Sequence, residues 1–299
     1  MQLRDLAYFA AIARHGHMGR AAESLGLTQP ALTKSVKRLE RELGAALLTR
    51  TARGVHPTAA GEAFLERAHR IQMAAEEARR EVADARDGNA GTVRIGAGPS
   101  MIRRLLPAAF ARLHRRAPGL AFQVAGGMND SLIAMLRRGE IDLMLSALPR
   151  RAPEGIEQEV LDEEELVVLA RAGHPLARRR RVTLGMLAAA QWVLPSPGTL
   201  SVRWLSRLFE DRGLPAARVA VQTDSIAFLL RAVAESDLLS FASRDLLEAD
   251  AGVRALPAPE ATMRRRIGLS WRAGAYLPPA ARQLREALQE TVRQRHNRR

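Results

Sequence analysis

The run Thr28-Gln29-Pro30-Ala31-Leu32-Thr33-Lys34 gathers an amide, hydroxyls and a cation at what reads as the start of a helix. Amide and cationic groups at a helix N-terminus can reach base edges in a DNA major groove, while cations further along hold phosphates. Thr28 suits an N-cap, and Pro30 suits the first turn, where a missing N–H is harmless. Leu32, Val36, Leu39 and Leu43 recur at helical spacing and are expected to pack inward. Gln29, Pro30, Thr33, Lys34, Lys37, Arg38 and Arg41 then face outward. A basic outer face alone is usually just a solvated one, so the supporting elements decide the matter.

Those elements are present. Leu3, Leu6, Phe9, Ala10 and Ala13 mark a first amphipathic helix to about Arg14, and Met18 to Leu25 fits a short second one with Ala21, Ala22 and Leu25 inward. Gly26 breaks the chain before Thr28. A helix-turn-helix from about Met18 to Lys37 follows. After Gly44, Leu47 to Thr51 and Val55-His56 read as two strands joined by Ala52-Arg53-Gly54 and ended by Pro57, which is a wing. Arg50 and Arg53 would hold flanking phosphates or reach the minor groove, and His56 reads as a polar wing residue.

Phe9 to Ala11, Arg20-Ala21-Ala22, Thr28 to Thr33, Leu39-Glu40, Leu43-Gly44, Arg50-Thr51, Arg53-Gly54 and Pro57 to Glu62 together closely resemble the LysR-type transcriptional regulators. The resemblance implies a winged helix-turn-helix that binds double-stranded operator DNA near a promoter, with Arg20 and Ala31 joining the residues above. It also implies RNA polymerase as a partner and a C-terminal domain that senses a small-molecule effector. His17 stands where the family usually has a serine N-cap and Gly19 where it has Ser or Thr. Gly19 should weaken the second helix by ~0.8 to 1 kcal/mol relative to Ala.

Composition bounds the rest. A length of 299 residues implies two or three domains, and 47% hydrophobic residues is ordinary for a globular chain. No stretch reads as membrane-spanning and the first residues carry Arg4 and Asp5, so a cytoplasmic location is expected. Without cysteine there is no disulfide or thiolate nucleophile, and the histidines do not cluster as metal ligands. Of the net charge of +14, residues 1–60 carry +5 and residues 61–90 carry −2, which leaves +11 in residues 91–299. Most of the excess thus lies beyond the DNA reader, and solvated arginine-rich faces are its plain reading.

Between Thr58 and Asp87, Phe64, Ala68, Ile71, Ala75, Ala78, Val82 and Ala85 fall at alternating steps of four and three. That is a heptad seam, suited to pairing two helices, although a helix lying on its own domain is the alternative. The resemblance makes this helix the dimer contact, with tetramers following. Two paired readers require an inverted repeat with half-sites ~34 Å apart. Residues 86–91 read as a hinge.

From Val93 onward short apolar strands alternate with helical stretches, the pattern of an α/β fold in two lobes. The overall class is therefore α/β, with a mostly helical reader at 1–58, a linker helix and hinge at 59–90, and an effector domain at 91–299. The resemblance implies a periplasmic-binding-protein-like effector domain. Its lobe I takes 91–161 plus 264–299 and its lobe II takes 162–263, with two crossover strands between them.

Ligands in such sheets sit past the carboxyl ends of the strands. The strand-to-helix junctions there carry Ser100, Met101, Met128, Ser146, Ala147, Ser196, Thr199 and Thr223, with Ser100, Ser196 and Thr199 the best candidates, where a small, anionic effector could be held. Helix capping is the alternative for each hydroxyl. An enzyme finds no support, since G-x-S-x-G, H-E-x-x-H and Walker patterns are missing and Met101 spoils a dinucleotide fingerprint at Gly96 and Gly98. No cofactor, metal site or catalytic residue is expected.

Overall fold

The computed structural model describes residues 1–51, 54–87, 91–249 and 252–297. The chain divides between Ala85 and Arg86 into two compact units.

In the first unit, α1 (Leu3–His15), α2 (Met18–Ser24) and α3 (Gln29–Leu43) surround a core of Leu6, Phe9, Ile12, Met18, Ala21, Leu32, Val36 and Leu39. Leu43 departs from the expected inward stripe and is 42% exposed, because α3 ends one residue later at the left-handed Gly44 cap. The strands β1 (Leu48–Thr51) and β2 (Gly54–Pro57) pair antiparallel. The wing docks on the turn between α1 and α2, where the Val55 N–H donates to the Gly16 carbonyl at 2.9 Å. Gly54 makes that approach feasible: its φ is 126°, and a Cβ there would stand 2.4 Å from the Gly16 oxygen. Helix α4 (Ala59–Asp87) begins at the Thr58 cap, whose Oγ1 accepts the Gly61 N–H at 3.0 Å. The expected seam along α4 splits. Phe64 and Leu65 pack against the Phe9–Leu39–Leu47 cluster and Ala68 is buried, whereas Ile71 and Val82 are exposed, Val82 by 72%.

The second unit is built on β3 (Thr92–Ala97), β4 (Ala121–Gly126), β5 (Leu143–Ala147), β6 (Ile156–Arg171), β9 (Ser240–Ser243), β10 (Val253–Ala255) and β11 (Met263–Arg272). They form one mixed sheet in the order β10-β6-β11-β5-β3-β4, with β9 also pairing with β6. The strands β7 (Gln191–Leu194) and β8 (Arg218–Gln222) make a separate parallel pair. Strands β6 and β11 run through both halves, β6 pairing with β9 and β10 at one end and β11 lying beside β5 at the other.

Around the sheet lie α5 (Pro99–Arg104), α6 (Leu106–Arg116), α7 (Asn129–Arg137), α8 (Leu184–Ala189), α9 (Leu200–Glu210), α10 (Ile226–Glu235) and α11 (Pro279–His296). One core is centred on Ile95, Leu143, Leu145, Ile267 and Leu284. Two others flank the second half, around Leu187, Trp192 and Phe209 and around Leu169, Val193 and Val233.

The stretch of β6 before Leu166 was not legible as a strand, because Glu157, Glu159, Glu163, Glu164 and Glu165 break any apolar alternation. Its register supplies the reason it pairs. Arg264, Arg265 and Arg266 of β11 stand opposite Glu165, Glu164 and Glu163.

Among the described residues no helix is long and apolar enough to cross a membrane.

Candidate nucleic-acid interface and effector cleft

The outer face of α3 is an open groove lined by Gln29, Pro30, Thr33, Lys34, Lys37 and Arg41, with no carboxylate among them. Thr28 caps the helix, its Oγ1 accepting the Ala31 N–H at 3.4 Å. The Thr33 hydroxyl donates to the Gln29 carbonyl at 2.9 Å, so what it keeps for a ligand is its capacity to accept. Lys34, Lys37 and Ala31 are exposed, as are Arg20 on α2 and Arg50 on the wing. Arg53 lies outside the described residues.

Arg38 departs from the expected outward set. Its Nη2 donates to the buried Asp5 carboxylate on α1, and Ser35 Oγ donates to the same oxygen at 2.7 Å. Arg38 therefore ties α3 to α1, because its position flanks the inward stripe. Nothing in the spacing of Asp5 and Arg38 announced this pair, which lies 33 residues apart.

His17 keeps the capping role despite its unusual identity: its Nδ1 accepts the Gly19 N–H at 3.1 Å. A Cβ on residue 19 would meet that ring at 3.3 Å, so glycine there gives the imidazole room to fold back. The two departures from the family pattern support each other.

In the second unit a cleft of about 80 Å³ opens between the halves of the sheet. Ser100, Met101, Met128, Ser146, Ala147 and Thr223 all line it. Ser196 and Thr199 do not. Ser196 is turned onto Asp224, donating from its N–H at 2.9 Å and its Oγ at 2.7 Å, and it positions that cleft-lining carboxylate instead. Thr199 precedes α9 with its Oγ1 buried and unbonded, and the cleft is lined by Ser201 two residues later.

Sequence reasoning missed Ser201, Ser243, Phe241 and Arg265. The last three sit on β9 and β11, strands whose ends carry no junction signal. Ser243 is 2% exposed and its Oγ has no hydrogen-bond partner. Arg265 is the one guanidinium among the cleft-lining residues, and buried Glu164 neutralises it through an Nε–Oε2 bond of 2.7 Å. Asn129 Nδ2 donates to the Ala147 carbonyl at 2.7 Å, bracing α7 against β5 at the cleft mouth.

A winged helix-turn-helix with a cationic, carboxylate-free reading face, joined to an α/β unit with a hydroxyl-lined cleft, defines a DNA-binding regulator with a small-molecule sensor. The comparisons with known proteins agree. Residues 3–62 match the family model described as "Bacterial regulatory helix-turn-helix protein, lysR family", and residues 86–293 match "LysR substrate binding domain". The chain belongs to the LysR family of transcriptional regulators, and it is a regulator rather than an enzyme.

It is similar to the SDS degradation transcriptional activation protein of Pseudomonas sp. (strain ATCC 19151), 36% identical over 291 residues that cover 95% of this chain and 94% of that protein. It is also similar to the RuBisCO operon transcriptional regulator of Allochromatium vinosum, 31% identical and covering 98% and 97% of the two chains. Among solved structures, full-length OxyR from Pseudomonas aeruginosa superposes with a TM-score of 0.66 at 26% identity, covering 98% of this chain and 95% of that one. Full-length CbnR in complex with its target DNA shares the fold, with a TM-score of 0.67 at 24% identity and coverage of 97% and 100%.

Proposed function

We propose that the chain binds an inverted-repeat operator as a dimer joined through α4, or as a tetramer of two such dimers, and alters promoter activity when a small ligand enters the cleft. The observation that carries the DNA reading is the α3 groove, where an amide, a hydroxyl and three cations share one open face without a carboxylate. In this reading Gln29 contacts a base edge. Arg20, Thr28, Pro30, Ala31, Thr33, Lys34, Lys37, Arg50 and Arg53 position the helix on the duplex, and Arg38 contributes indirectly through Asp5. RNA polymerase and a cytoplasmic setting complete the proposal.

The effector in this proposal is a small anion met by hydroxyl donors, since Ser100 and Ser243 are buried around the cleft, Ser243 Oγ has no partner, and the cleft's own carboxylate, Asp224, is held by Ser196. Ligand favours one arrangement of the lobes over the other and so shifts the spacing or bend of bound DNA.

The test is operator selection from a random duplex pool followed by affinity measurement. Gln29→Ala is expected to lose ~1 to 3 kcal/mol on the selected site and to relax specificity at one base pair. Lys37→Ala should weaken selected and random duplexes alike and lower the salt slope by about one. Equal losses on both duplexes for both variants would remove the base-reading role from Gln29.

A further inference from the structure

Beside the cleft, between the 149–150 loop, α9 and β11, lies a groove of about 910 Å³. Arg150, Arg207, Arg264, Arg265 and Arg266 line it together with Trp204, and no Asp or Glu is among the lining residues. Two of the five guanidiniums are already engaged, Arg264 by Glu165 and Arg265 by Glu164. Arg150 and Arg207 are exposed and form no ion pair among the described residues. Arg266 forms none either, although Glu163 stands opposite it on β6. Its Nη2 donates instead to the carbonyls of Pro149 and Arg150, each at 3.0 Å, which pins that loop at the groove's edge.

We propose that this groove is a second binding site, separate from the effector cleft, for a small molecule bearing phosphate groups. Three uncompensated guanidiniums converge from three segments, the 149–150 loop, α9 and β11, and planar guanidinium forks match phosphate oxygens. The volume is that of a small-molecule pocket rather than a flat polyanion track, and Trp204 adds an aromatic wall for the body of a phosphate ester. Part of the +11 charge beyond the reader thereby acquires a use other than solvation. Arg265 belongs to the lining of both groove and cleft, but its side chain is held by Glu164 and, by alternation along β11, stands on the face opposite Arg264 and Arg266.

Isothermal titration of the full-length protein with inorganic pyrophosphate, and separately with ADP, at fixed ionic strength tests this. Saturable binding with one site per chain is expected. Arg207→Gln should weaken it by about tenfold, and Arg150→Gln with Arg207→Gln should weaken it further, as the loss of charge-assisted hydrogen bonds requires. Both side chains are exposed, and a circular-dichroism melt confirms that the variants fold. Lys34→Ala with Lys37→Ala on the reader, and Ser243→Ala in the cleft, should leave pyrophosphate affinity within about twofold.

Tighter binding of ADP than pyrophosphate identifies a nucleotide-like ester, and equal binding identifies free phosphates; either supports the site. Affinity lost in the reader variants but kept in the arginine variants overturns it, as does titration without saturation. Displacement of pyrophosphate from the reader variant by a random DNA duplex assigns the groove to DNA and also overturns it. Because Ser243→Ala is read separately, failure here leaves the effector cleft untouched.

Discussion

Asp5 shows how one buried carboxylate can govern a surface used for recognition. It sits at the third position of α1, accepts the Gln2 N–H at 2.9 Å, and receives Ser35 and Arg38 from α3. Burial alone would raise its pKa, but the hydrogen bonds from Ser35, Gln2 and Arg38 outweigh that and hold it below the ordinary carboxylate range. A lowered folded value means the stabilisation is complete above the unfolded value of ~3.9 and disappears as pH falls through the folded one. Melting temperature is thus expected to drop below about pH 4. Asp5→Asn should be less stable by roughly 1.5 to 3 kcal/mol at neutral pH, with a flatter acid limb. Circular-dichroism melts across the acid range measure both, and an unchanged acid limb in the variant would remove Asp5 from the account.

The two crossover strands hold the halves of the effector unit together, and charge organises them. Near their centre Arg104 of α5 is buried between Asp162 of β6, at 3.1 Å, and Asp245 of the 3-10 helix Arg244–Ala249, at 2.6 Å. Arg295 of α11 adds a second contact to Asp245 at 2.9 Å. Helices from the first half thereby grip a segment of the second, beside β6 itself. Such an ion pair is strongly destabilising to break singly, because the partner is left buried and charged. A double-mutant cycle on Arg104→Ala and Asp245→Ala should give a coupling near ~2 to 3 kcal/mol, and each single variant should exchange amide hydrogens faster in α5 and residues 244–249. Additive losses would mean that the contact is not a latch.

For the molecule as an assembly, the division of the α4 seam matters most. Its first turns are consumed by the reader's own core, where Phe64 meets Phe9 edge-on at 5.4 Å. Ile71 and Val82 are left in solvent, which a paired helix would cover. Ile71→Asp with Val82→Asp is expected to yield monomers in sedimentation velocity. Operator affinity should then fall steeply while the circular-dichroism spectrum is retained, whereas Phe64→Asp should unfold the reader. A dimer that survives the double change would place the pairing surface elsewhere.

Short-range physics made much of this legible from the chain alone. The reading helix, its Thr28 cap, the Gly26 break, the wing and most of the α/β alternation each follow from residues within a few turns of one another. The hydroxyls at strand-to-helix junctions were legible for the same reason. Which of them reach the cleft was not, since Ser196 is turned onto Asp224, 28 residues on, while Ser201 lines the cleft from α9. Nor were the Arg38–Asp5 tie, the Glu-rich stretch of β6 or the arginine groove beside the cleft. Those depend on partners distant in the chain, 33 residues away for Arg38 and Asp5, 99 for Arg264 and Glu165 and 117 for Arg266 and Pro149. A charged side chain carries no periodic signal naming its partner. Only packing, by fixing the register of β6 on β11 and the seat of α3 on α1, settles which charges meet and which are left open to a ligand.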